Sequence, residues 1–151
     1  MILVVHTLDQ SKVQLAWVES TGKVLKALRK TVQGRQTEMV TPTIDLLLKK
    51  SKLAVSALSG IIVASGPGGF TAVRSGVVVA NAFGFALGIP VVGVEGAFSG
   101  VDDLLVSDRF SRALTHIKRT RKPTQARPAY GAQPNISKAK RKKVQQHKLR
   151  V

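Results

Sequence analysis

Residues 65–88, SGPGGFTAVRSGVVVANAFGFALG, constrain this chain more than any other stretch. The apolar run GIIVAS leads into a loop of three glycines and a proline, and a long helix pattern built from small residues follows. Thr71 is placed to cap that helix by accepting from the amides of its first turn. Gly88 and Pro90 supply the stop signal. Between them Ala72, Gly76, Ala80, Gly84 and Gly88 recur every four residues, which on a helix draws one narrow line with almost no side-chain volume. Each helical glycine costs about 1 kcal/mol relative to alanine. Such a line lets another backbone come very close.

The rest of the chain divides by charge. The formal net charge is +16 over 151 residues. Residues 1–108 hold ten Lys/Arg and eight Asp/Glu, an ordinary near-neutral balance. Residues 109–151 hold fourteen Lys/Arg and no acid. The expected organisation is therefore one domain over 1–108 and a basic, disordered tail over 109–151, because a polycation with few apolar residues does not offset its ordering entropy. The absence of cysteine excludes disulfides and thiolate metal sites. The opening MILVVHTLDQ lacks a basic n-region and reads as a strand rather than a signal peptide. Residues 75–94 carry no charge, but their glycines and Pro90 break the run into a helix and a strand, which argues against a membrane span.

Along the chain, Ile2–Thr7 reads as a buried strand, Lys12–Glu19 as a second and Lys23–Val32 as a third, with a Ser-Thr-Gly turn between the last two. These form an antiparallel meander. Pro42 sits at a natural first helical position with Thr41 as its cap, and Ile44, Leu47 and Leu48 give the apolar face. Gly60–Ser65 is a fourth strand, Ala72–Leu87 a helix and Pro90–Val94 a fifth strand. Strand, helix, strand, helix, strand implies parallel right-handed crossovers after the meander. The fold class is α/β: a mixed five-stranded sheet, three strands antiparallel and two parallel, carrying two main helices. VDDLLV, at 101–106, suits a short helix.

This order, with GPGGFTAVRSG at 66–76 between the fourth strand and the second helix, resembles the TsaB family, also called YeaZ. The family pattern has a first strand like ILAIDTS and a loop like GPGSFTGLRIG; this chain has ILVVHTL at 2–8. Gly66, Pro67, Gly68, Phe70, Thr71, Arg74 and Gly76 fall on the motif positions, and GIPVVGVEG at 88–96 is similar to the strand that follows. The resemblance covers Met1 to Gly96. It implies an actin-like lobe of the ribonuclease H-like kind, and a role as the dimerization subunit of the machinery that makes threonylcarbamoyladenosine in tRNA. It implies a TsaD-type catalytic partner, a TsaE-type ATPase, a cytoplasmic location and no cofactor held by this chain; self-association into a homodimer stays open. Three departures stand out. His6 occupies the family's usual Asp position, Gly69 replaces Ser and Ala72 replaces Gly. The family's second lobe is expected to be absent, with the basic tail in its place.

Each candidate site has two readings. The loop at 66–69 delivers glycine amides and a helix start, as a phosphate cradle does, but it lacks the Lys-Ser/Thr ending of a P-loop; a tight strand-to-helix crossover is the favoured reading. The small line faces either the protein's own sheet or a partner helix. With Val77, Val78, Phe83 and Leu87 assigned to the sheet, the expected partner interface is Ala72, Gly76, Val79, Ala80, Phe83 and Gly84. Arg74 reaches a partner or lies in solvent. His6, Thr7 and Asp9 suggest acid–base chemistry, yet no nucleophile–base order or metal spacing supports it, so no catalytic or metal-binding residue is assigned. Lys118, Arg119, Arg121 and Lys122, then Lys138, Lys140, Arg141, Lys142 and Lys143, are the candidate RNA contacts, binding phosphates without sequence readout. The expected function is a non-catalytic supporting subunit. A stand-alone nucleic-acid-binding protein using its tail is the rival reading, and a peptidase a weaker third.

Overall fold

The computed structural model describes residues 1–120 and 122–131. β1 (Ile2–His6), β2 (Lys12–Val18) and β3 (Val24–Thr31) form the meander. Then come α1 (Gln36–Ser51), β4 (Gly60–Gly66), α2 (Phe70–Leu87), β5 (Val91–Glu95), α3 (Val101–Leu105) and α4 (Asp108–Arg119). The strand order is β3-β2-β1-β4-β5. β1–β2 and β2–β3 are antiparallel, while β1–β4 and β4–β5 are parallel. The expected mixed sheet is present.

Both faces of the sheet are covered, so its central strands read as unbroken apolar runs rather than alternating ones. On one face Leu3, Val5, Leu15, Trp17, Ile61 and Val63 pack under α1 and α2 with Ile44, Leu47, Val73 and Val77. On the other, Ile2, Val4, Ala16, Ile62 and Ala64 pack under α3 and α4 with Leu104, Phe110, Leu114 and Ile117.

The second layer corrects the division at 108/109. Residues 109–119 are not a disordered tail but most of α4. Phe110, Ala113, Leu114 and Ile117 recur at i, i+3, i+4 and i+7, a buried helical stripe interleaved with the charges that made the region read as a polycation. Ser107 caps the helix by accepting from the Phe110 amide at 3.1 Å. Residues 122–131 then return along the sheet as a strap without regular secondary structure. Thr124 bonds to Val91 in both directions through its hydroxyl and carbonyl, and the Asn81 side chain pairs with the Ala126 backbone through two bonds of 2.9 Å.

Both expected caps are also corrected. α1 begins at Gln36 rather than at Pro42, which lies inside the helix. The buried Gln36 amide stands within 2.8 Å of the carbonyls of Thr7, Asp9 and Lys12, which pins the helix start to the β1–β2 loop. Pro42 costs the Glu38 carbonyl its helical donor, but Glu38 lies on the solvent side. α2 begins at Phe70 with Gly69 as its cap, so Thr71 is already inside the first turn and caps nothing. Gly88 ends α2 in the left-handed conformation, φ 65°, as expected.

Candidate functional site: the outer face of the second helix

The small-residue line faces inward. Ala72, Gly76, Ala80 and Gly84 are all buried. A β-carbon on Gly76 would collide with the hydroxyl of Thr7, just past β1, and one on Gly84 with the Val91 side chain of β5. The line therefore exists so that α2 can lie close to its own sheet. The assignment of Ala72, Gly76, Ala80 and Gly84 to a partner interface is corrected accordingly. The converse assignment holds in part: Val77 is buried in the core and Phe83 and Leu87 pack against it partly buried, but Val78 is 55% exposed. The close backbone approach brings α2 onto the sheet with Val73 and Val77 beside the small line, and Val78, one residue beyond Val77, turns away to solvent.

What α2 shows to solvent is a second line with the same four-residue period: Phe70, Arg74, Val78 and Ala82, ending at Phe85. Phe70 is 56% exposed and Phe85 82%. This apolar line is the candidate interaction surface of the helix. The Arg74 guanidinium stands 5.7 Å from the centre of the Phe70 ring. A depression of about 370 Å³ runs between α1 and α2, lined by Thr37, Phe70, Thr71, Arg74, Ser75 and Val78 with Val79 beside them. The Thr37 and Ser75 hydroxyls meet across its floor at 2.7 Å. Of the expected interface residues, Val79 and Phe83 stay partly exposed. Val78 and Phe85 were missed; their spacing from Phe70 and Arg74 was the signal that could have found them.

The glycine loop is filled by the protein itself. Gly66 has φ +123°, and a β-carbon there would collide with the Ala129 carbonyl of the strap. Gly69 lies against the Gln10 side chain, and Gly68 against Leu8 and Val73. The Ala129 amide donates to the Ser65 carbonyl at 2.7 Å, and Tyr130 stacks on Phe70 with ring centres 4.9 Å apart. Pro67 is exposed at the loop's outer edge. These contacts fit the tight-crossover reading of residues 66–69.

His6 ends β1 fully buried. Its Nε2 lies 3.0 Å from the Phe98 carbonyl, which makes Nε2–H the donor and leaves Nδ1 buried without a partner. Burial holds its pKa below the ordinary value, with the Phe98 bond and the Asp9 charge opposing. Asp9 turns away to accept from the Ser11 hydroxyl and amide, which hold its carboxyl down to about 2. Thr7 gives its hydroxyl to the Ala72 carbonyl. The three residues are thus each engaged in local structure and do not converge on a common space. Among the described residues no group of three or more His, Asp or Glu is placed to hold a metal. α2 is long and apolar enough to cross a membrane by length and composition, but here one of its sides packs on β4 and β5. Lys118 and Arg119 lie on α4 and Lys122 just beyond it, while Arg121, Lys138, Lys140, Arg141, Lys142 and Lys143 lie outside the described residues.

An α/β lobe with this strand order, a glycine loop after β4 and a small-residue helix behind it has clear relatives. The family model of TsaD, tRNA N6-adenosine threonylcarbamoyltransferase, matches residues 30–97. An uncharacterized protein of Mycobacterium leprae is 40% identical over 88 residues, 54% of this chain and 24% of that protein. The tRNA N6-adenosine threonylcarbamoyltransferase of Geotalea daltonii is 40% identical over 61 residues, 40% of this chain and 18% of that protein. Among solved structures, YeaZ from Pseudomonas aeruginosa superposes with a TM-score of 0.55 at 28% identity, over 62% of this chain and 44% of that one. The chain thus spans about a quarter of its M. leprae relative and under half of the YeaZ chain. The protein is TsaB/YeaZ-like, with the actin-like α/β lobe that the resemblance implied.

Proposed function

We propose that this chain is a non-catalytic supporting subunit of the machinery that forms threonylcarbamoyladenosine in tRNA, and that it works in the cytoplasm. It docks on a TsaD-type catalytic subunit through the outer face of α2 and the adjoining edge of α1, and a TsaE-type ATPase completes the set. The observation that carries this reading is the apolar outer line of α2, where Phe70 and Val78 stand in solvent beside the groove against α1 and Phe85 continues the line toward the strap. A buried centre of that composition suits a protein partner. The engagement of His6, Thr7 and Asp9 in local structure supports a role without chemistry of its own.

The test is co-expression with the TsaD-type subunit of the same host, followed by size-exclusion chromatography. Co-elution that is lost in the double variant Val78→Arg, Phe85→Ser, with the variant's thermal midpoint unchanged, supports the reading. A wild-type chain that elutes alone as a monomer, or only as a homodimer, refutes the heteromeric assignment.

A further inference from the structure

α4 has two faces of opposite character. Beneath it lie Phe110, Ala113, Leu114 and Ile117; above, exposed, stand Arg109, Arg112, His116 and Arg119 at spacings of three, four and three residues. That spacing puts four basic side chains in one row about 15 Å long, at 1.5 Å of rise per residue. The row borders the free edge of the sheet. Two adjoining depressions of about 430 and 270 Å³ follow β5 there, sharing Val92, Gly93, Glu95 and His116. Arg127 of the strap faces the row from the far side. The ion pairs among the described residues are Lys12–Asp9, Arg29–Asp102, Arg35–Glu38 and Lys49–Asp45. None involves the row, and neither Glu95 in the trough nor Asp108 at the helix start pairs with it.

The edge strand does not invite another strand. Its outward groups are taken at Val91 by Thr124 and at Glu95 by the Arg109 guanidinium, leaving only Gly93 between them. The large exposed apolar side chains do not line these depressions, although Phe85 lies just across the strap in a hollow with Thr124, Gln125 and Arg127, so the trough itself lacks the apolar centre that a protein partner would require. What remains is an open channel flanked by evenly spaced, mostly guanidinium cations, a geometry that matches the repeating phosphates of a nucleic-acid strand.

We infer that the trough between α4 and the strap binds the phosphate backbone of RNA, with Arg112, His116, Arg119 and Arg127 as its contacts and Arg109 as the anchored end of the row. That the polyanion is RNA rests on the function proposed above; the trough itself does not depend on it. The site is distinct from the groove between α1 and α2, while Arg127 is shared with the hollow that Phe85 lines beside the strap.

The experiment titrates the full chain with a fluorescein-labelled oligouridylate across a series of salt concentrations and reads anisotropy. It compares wild type with Arg112→Gln, Arg119→Gln, Arg127→Gln combined, and with the same three positions changed to Lys. Each single-strand phosphate contact contributes about −0.7 to the log–log salt slope, so the Gln triple should flatten it by about 2 while the Lys triple keeps it. An unchanged slope in the Gln triple overturns the inference, as does equal loss in the Lys triple, which would mean that charge is not the carrier. Tighter, variant-sensitive binding of polyglutamate than of RNA overturns it too. The Gln triple is also run with the TsaD-type subunit: retained co-elution with an unchanged RNA slope sinks this inference alone, whereas a wild type that never co-elutes sinks the function proposed above and leaves the titration to decide the trough.

Discussion

The hydroxyl of Thr7 donates to the carbonyl of Ala72 at 2.7 Å, and Gly76, one turn on, leaves no room above it for a β-carbon. This contact ties the end of β1 to α2 and explains why the helix carries glycine where alanine would be the better helix former. Gly76→Leu should therefore destabilise the fold, by about 3 kcal/mol or more, since overpacking a closed contact costs about 1–3 kcal/mol even for single methylenes. Gly84→Leu should behave alike, against Val91. Denaturant midpoints at constant m-value check this, and a Gly76→Leu protein as stable as wild type would mean that α2 does not lie where the structure puts it.

The end of the globule is a second test. Cutting the chain after Asp108 removes Phe110, Leu114 and Ile117, each worth about 1.5–3 kcal/mol of burial, and leaves only α3 over that face of the sheet. The sum approaches the entire stability of an ordinary domain. The 1–108 fragment should fail to fold cooperatively, while a chain ending at Gly131 should melt as wild type does. Circular dichroism melts of the two fragments decide it; a cooperative transition for 1–108 would contradict the packing of α4.

The strands and their order were legible because β1 and β4 are unbroken apolar runs and the turns between elements carry their usual residues. α4 was not, because net charge was weighed over a window in which the apolar residues are a minority; spacing, not composition, separates a helix face from a tail. The direction of α2 was lost for a related reason. Phe70–Val78–Phe85 and Ala72–Gly76–Ala80–Gly84 run with the same period on opposite sides, and periodicity alone does not say which side is buried. Thr7, whose hydroxyl fills the space that Gly76 leaves, follows β1 and is far away in sequence. The contacts that close the glycine loop are equally remote, since Ala129 and Tyr130 come from the strap.

His6 gives the fold a pH dependence of known sign. Buried neutral, its folded pKa lies below the ordinary histidine value of 6.5 because burial disfavours the charged ring. Above that value neither state is protonated and His6 contributes no pH dependence. Below it, the unfolded chain takes up a proton that the folded chain refuses, so stability falls with pH until the folded group itself titrates, with a slope of at most about 1.4 kcal/mol per pH unit. Asp9 acts in a separate window: its carboxyl, held down to about 2, adds stability above its ordinary 3.8 that is lost as pH falls below it. Denaturant midpoints compared between pH 7.5 and pH 5 should drop more for wild type than for His6→Asn. Equal drops would assign the loss to other groups.

Residues 132–151 carry seven Lys/Arg and no acid, including Lys138, Lys140, Arg141, Lys142 and Lys143. If they reach tRNA at all, they do so through phosphates, because this stretch contains no Phe, Trp or Tyr on which a base could stack. A chain ending at Gly131 keeps α4 and the strap, so comparing it with the full chain isolates this segment from the trough. The full chain should bind tRNA more tightly at low salt and show the steeper salt slope, by about 3.5 if five cations each meet a single-strand phosphate. Binding should be indifferent to which tRNA is offered, since phosphate contacts carry no sequence information. Identical slopes for the two chains would show that the segment does not touch the RNA, and its charge would then have no role in binding.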